Sequence, residues 1–251
     1  GDYELYLIDQ FHPQEHKQYS IHPPQPDAAI PNAVIVTTTS LQNEYLHLQW
    51  DLHGQLCSVK MNGQEVSSER FLDSAVTYAG QVYRVNNWLE TESESLGIVG
   101  IKNFRATLIL KGGYLVQFER EVTLAAGLPY IYIRMWVGYP RTPHQGYAKE
   151  KAARLQQGWD NNWQEVRPCE IRPALHGTAE SALRVWKHNY CDHVSTFALD
   201  YERFSKNITL DNINNQITHA WVAVSDGEHG LLVAQNAEMD SNVAFCPMRT
   251  H

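Results

Sequence analysis

Residues 188 to 193, His-Asn-Tyr-Cys-Asp-His, hold four side chains able to ligate a metal. On a strand Cys191 and His193 share one face while His188 and Asp192 take the other, so a tetrahedral site needs a bend. No HExxH, C-x-x-C or EF-hand spacing adds a second signature. His188, Cys191 and His193 are the metal candidates, and no resident metal or cofactor is expected. Acid–base chemistry at a sugar's anomeric centre needs other partners, usually a His and a carboxylate placed at the ring oxygen and hydroxyl. Glu170, His176 and His193 are available for it, with Glu228 and His229 behind them. Hydrolysis of a glycosidic bond instead needs two opposed carboxylates, and Asp and Glu are scattered here without a diagnostic pair.

Two further groups have the chemistry of polyol recognition. Hydroxyls need directed donors and acceptors, whereas a sugar's C–H face needs an apolar plane. Trp159 and Trp163 flank Asp160, Asn161 and Asn162 in that combination; the alternative is a loop pinned by buried tryptophans. The run PYIYIRMWVGY puts Ile131, Ile133, Met135 and Val137 on one face of a strand and Tyr130, Tyr132, Arg134 and Trp136 on the other. That second face is either a sugar platform or a packing layer beneath another element.

The elements that must carry these groups are strands. Leu46, Leu48 and Trp50 alternate with polar residues, Asp51-Leu52-His53-Gly54 breaks the run, and Asn62-Gly63 supplies the two positive-φ residues of a type I′ hairpin. Strand patterns recur over 33–39, 44–61, 75–88, 104–110, 113–124 and 129–138. Short turns between many strands predict an antiparallel, all-β architecture. Residues 139–170 read as an irregular excursion, with one short helix over 147–158 stopped by Gly158. His12-Pro13, His22-Pro23-Pro24, Pro26 and Pro31 make residues 1–32 a proline-rich arm, and residues 33–251 read as one large sandwich.

Composition excludes several classes of partner. The chain carries 20 Lys+Arg against 28 Asp+Glu, a net charge of −8, and no basic cluster, so no nucleic-acid partner is expected. No apolar run is long enough for a membrane-spanning helix, and no secretory leader precedes the first strand. The start at Gly1 suggests a processed or excised chain. Cys57, Cys169, Cys191 and Cys246 are far apart in sequence, which favours reduced, buried thiols and a cytoplasmic location.

Three blocks carry a family resemblance. Asn43, Tyr45, Leu46, Leu48, Trp50, Asp51, Gly54, Leu56, Ser58 and Val59 resemble the strand, glycine turn and strand that open the galactose-mutarotase-like β-sandwich region of the family 38 glycoside hydrolases, the α-mannosidases. Trp221, Ser225, Asp226, Gly230, Leu231 and Asn236 resemble a later strand pair of that region, and the segment ending at Arg249 resembles its closing strand. The blocks fall in the family's order, and the residues between them match only in texture. The resemblance implies a galactose-mutarotase-like super-sandwich that contacts a saccharide. In the family, the nucleophile and zinc ligands sit on a preceding α/β barrel, and no segment here resembles it. The expected role is therefore non-catalytic, beside other domains of a larger glycoside hydrolase. The alternatives are a stand-alone aldose epimerase using a His/Glu pair, although the mutarotase string Asn-His-x-Tyr-Phe-Asn-Leu is absent, or a structural module without a ligand.

Overall fold

The computed structural model describes residues 16–19, 34–141, 163–173, 183–188, 194–199, 216–218, 221–227, 229–234 and 243–245. All regular elements among them are strands, and the pairs whose register is defined run antiparallel. The fold is all-β, as alternation and turn chemistry predict. The expected helix over 147–158 and nearly all of the proline-rich arm lie outside the described residues. No described helix is long and apolar enough to cross a membrane. The chain divides into two compact units, Gly1–Arg172 and Pro173–His251.

The first unit holds β1 (Ile35–Val36), β2 (Ser40–Gln42), β3 (Leu46–Trp50), β4 (Leu56–Met61), β5 (Gln64–Glu65), β6 (Ser67–Tyr78), β7 (Gln81–Arg84), β8 (Leu89–Ser95), β9 (Val99–Leu110), β10 (Tyr114–Ala125), β11 (Tyr132–Arg141) and β12 (Trp163–Pro173). One sheet runs β1-β2-β3-β4-β6-β12, with β5 on β4 and β7 on β6; the other runs β11-β10-β9-β8. Period-2 alternation gives each sheet one apolar face, and the two faces share a core. Leu41, Leu48, Trp50, Leu56, Leu72 and Val76 of the first sheet meet Phe104, Val116, Phe118, Val122 and Leu124 of the second. Each such side chain contributes roughly 1.5–3 kcal/mol of burial. Trp50 stacks on Phe104 at 5.5 Å between centroids, and Trp88 meets Phe118 edge-on at 6.4 Å. Gly100 lets the sheets close at one corner, since a Cβ there would lie 2.6 Å from Val34 Cγ1 and 2.7 Å from Leu41 Cδ1.

The turns form where expected. Asn62 and Gly63 have φ of 50° and 81°, with Met61 opposite Gln64, the two-residue hairpin that a type I′ turn closes. Asp51 Oδ1 accepts from the amides of His53 and Gln55 at 2.8 and 2.9 Å, which organises the 51–54 turn. Asn43 is a buried staple. Its Nδ2 donates to the carbonyls of Ala125 and Leu128 at 2.7 and 2.9 Å, and its Oδ1 accepts from the amides of Tyr45 and Leu46. The residues behind the first block of the family resemblance are thus those that local geometry demands.

Glu65 secures the β4–β5 hairpin electrostatically. Its carboxylate accepts from Ser58 Oγ at 2.5 Å, from Ser67 Oγ, and from the amides of Val59 and Ser67 at 2.9 and 3.2 Å. Partial desolvation raises its pKa, but these hydrogen bonds outweigh it and leave the group below the ordinary 4.5. A depressed carboxylate stabilises the fold above its unfolded pKa and loses that contribution as pH falls through the folded one. Glu65→Gln is therefore expected to lower the urea midpoint at pH 7 and to differ less from wild type below pH 4.5; an equal gap at both pH values would refute this role.

Three segments depart from the sequence reading. β8, with the sequence LETESES, lacks alternation because it is an edge strand, exposed over most of its length. β12 occupies part of the expected irregular excursion. It lies at the end of its sheet, where the missing N–H of Pro168 is tolerated. Cys57 and Cys169 are free and exposed at the residue level, although the Cys169 thiol itself is buried; Cys57 Sγ donates to the carbonyl of Gln49 at 3.3 Å.

The second unit contains β13 (Leu183–His188), β14 (Val194–Leu199), β15 (Gln216–Thr218), β16 (Trp221–Ser225), β17 (Gly230–Ala234) and β18 (Val243–Phe245). One sheet runs β14-β13-β16-β17, and β15 pairs with β18. The β16–β17 turn is held by Ser225 and Asp226, as a turn rich in Ser, Asp and Gly should be. Ser225 Oγ donates to the carbonyl of His229 at 2.7 Å and accepts from the Gly227 amide at 3.0 Å, while Asp226 Oδ1 accepts from the His229 amide at 2.7 Å.

Candidate functional site

β11 is an edge strand whose two faces have opposite fates. Ile131, Ile133, Met135 and Val137 pack against the sandwich core. Tyr130, Tyr132 and Trp136 remain 52%, 51% and 49% exposed, and the Arg134 side chain is 67% exposed. An aromatic side chain usually goes inside, and half-exposed rings aligned on one face are the informative exception. Tyr130 and Tyr132 meet edge to face, with centroids 6.1 Å apart at 84°.

The register of the sheet adds polar groups to this row. Glu119 lies opposite Trp136, and Glu121 opposite Arg134; Arg105 and Asn103 follow on β9. Arg105 Nε and Nη2 both contact Glu119 Oε1, at 3.0 and 2.8 Å, and Arg134 Nη1 stands 3.5 Å from Glu121 Oε1. Such exposed pairs contribute little to stability, about 0–1 kcal/mol each, but they orient donors and acceptors. Trp136, Glu119, Arg105, Asn103, Thr91 and Glu92 border a half-open depression of about 200 Å³. Enclosed small-molecule sites usually measure roughly 300–1,000 Å³, so this is a contact surface and not a closed reaction chamber. Gly138, beside Trp136 on the same face, has only Gln117 Cβ within 4 Å of where a Cβ would stand.

The structure brings together Tyr130, Tyr132, Arg134 and Trp136 as alternation predicts. Glu170 lies elsewhere, on β12, where its Oε2 is 2.9 Å from Arg84 Nη1. The same nitrogen contacts the fully buried Asp73 at 2.7 Å. The Arg84 guanidinium is itself raised, because its bonds and charges with Glu170 and Asp73 outweigh desolvation.

Trp163 opens β12 and His188 closes β13. Trp159, Asp160, Asn161, Asn162, His176, Cys191 and His193 lie outside the described residues. Among the described residues no group of three or more His, Cys, Asp or Glu is placed to hold a metal. Asn103, Arg105, Glu119, Glu121, Thr91 and Glu92 escaped the sequence reading. Alternation alone indicates that Glu119 and Glu121 share a face, but only the register sets them beside Trp136 and Arg134. No family model, curated protein or solved structure matches the chain.

Proposed function

We propose that this chain is a non-catalytic, saccharide-contacting β-sandwich of the kind that accompanies the barrel of α-mannosidase-like glycoside hydrolases. The observation that carries the reading is the half-exposed row Tyr130, Tyr132, Arg134 and Trp136, with oriented carboxylate, guanidinium and amide groups beside it. Ring faces offer an apolar plane to pyranose C–H groups, and the polar groups distinguish hydroxyl configurations, which stacking alone does not. The shallow depression suits a ligand that stays partly in solvent. The resemblance of the 41–66 and 218–236 blocks to the sandwich of those enzymes supports the same reading, with the other domains of the parent enzyme as partners.

Titration with mannose oligosaccharides is expected to change the intrinsic tryptophan fluorescence. Trp136→Ala should weaken binding by about 1–3 kcal/mol, as for an aromatic anchor at a small contact site, and leave the urea midpoint within about 0.5 kcal/mol of wild type, since surface positions usually do. Calorimetry checks the first result and denaturation the second. If no oligosaccharide perturbs the protein, or if Trp136→Ala unfolds it, the saccharide reading fails.

A further inference from the structure

The geometry points to a particular ligand class for this face: we infer a neutral, linear oligosaccharide of at least three units lying along β11. The inference rests on the saccharide reading and deepens it. Same-face side chains on a strand recur about every 6.6–6.8 Å, so the attachment points of Tyr132 and Trp136, four residues apart, lie about 13 Å from one another. One pyranose does not cover both. Tyr130 and Tyr132 meet at 84°, so the two form one contact point, not two coplanar ones. Arg134 falls between that point and Trp136, where it can donate to a bridging unit.

Charge selects among glycans. Arg105 is compensated by Glu119, and Arg134 faces Glu121. Glu92 adds a further carboxylate to the depression beside Trp136. Among the described residues no cation on this face is left in excess, so sulfated or uronic chains meet carboxylates without compensating charge, whereas neutral hydroxyls use both partners of each pair.

The test titrates the intact chain with mono-, di-, tri- and pentasaccharides of mannose, glucose and galactose, and with an oligogalacturonate of matched length, reading tryptophan fluorescence and calorimetry. Affinity for at least one neutral series is expected to rise tenfold or more from mono- to trisaccharide. Tyr132→Ala should remove most of that gain, and circular dichroism should stay strand-dominated. Equal affinities for mono- and trisaccharide, or equal binding of the oligogalacturonate, would overturn the inference and leave the saccharide reading standing. Failure of every sugar to bind would defeat both.

Discussion

Arg84→Ala is expected to destabilise the first unit by about 3–5 kcal/mol, the cost of leaving a buried charge without its closest counter-ion. Asp73 is fully buried, and Arg84 Nη1 approaches it at 2.7 Å, whereas Arg70 Nη1 stands 3.9 Å away and is more exposed. The Ser74 amide donates to Asp73 Oδ1 at 2.9 Å. Arg84 also links β7 to Glu170 on β12, so its removal loosens the end of the sheet as well. A double-mutant cycle separates the terms. Asp73→Asn combined with Arg84→Ala removes both charges of the inner pair, and it should recover part of the loss because no buried Asp73 charge is left, while Glu170 still loses its partner. Urea denaturation at neutral pH measures both. A loss below about 1 kcal/mol for Arg84→Ala, the range of a surface pair, would show that the Asp73 carboxylate is not held by this guanidinium.

Arg120 gives the second large effect, and its size depends on the replacement. The residue projects from β10 into the core, 1% exposed, with its guanidinium 3.9 Å from the centroid of Trp88 and 5.4 Å from that of Phe104. Nη1 donates to the carbonyl of Leu72 at 3.3 Å and Nη2 to that of Gly54 at 3.2 Å; among the described residues Nε has no hydrogen-bond partner. Burial pushes its pKa well below the ordinary arginine value, to about 10, against the pull of the nearby Cys169 and Asp73. Burial of the Cys169 thiol raises that group to about 11, against the opposing effect of Arg120.

At 1.36 kcal/mol per pKa unit, keeping Arg120 charged costs about 3 kcal/mol. The sign follows from linkage: the cost is constant below pH 10 and is relieved only above it, where the folded chain gives up the proton that the unfolded chain still binds. Arg120→Ala should lose about 3–5 kcal/mol, as truncation of a large core side chain does. Arg120→Met keeps an apolar stem against Trp88 and removes the buried charge, while the two carbonyls lose their donors at about 1–3 kcal/mol each. The opposing terms are of similar size, so Arg120→Met should stay within about 2 kcal/mol of wild type. Equal loss in both variants would mean that the guanidinium's hydrogen bonds, and not the filled volume, hold this part of the core together.

Local chemistry in the chain was sufficient for much of this. Alternation places Leu46, Leu48 and Trp50 inside, Asn62-Gly63 closes its hairpin, and the two faces of β11 are legible because a strand's side chains alternate whatever surrounds it. Tertiary structure decided what alternation leaves open. β8 forms without an apolar pattern because an edge strand needs a paired neighbour more than a buried face, and β12 accommodates Pro168 for a related reason. Arg120 shares the parity of Phe118 and Val122, which points inward, but its residue type points outward. The carbonyls of Gly54 and Leu72 and the ring of Trp88, all distant in sequence, settle the conflict. The row of Tyr130, Tyr132, Arg134 and Trp136 is equally a core layer or an open surface by sequence. It became a candidate site once the sheet left those rings half in solvent and its register set Glu119, Arg105 and Asn103 beside them, because which side of a strand meets water depends on what packs against it.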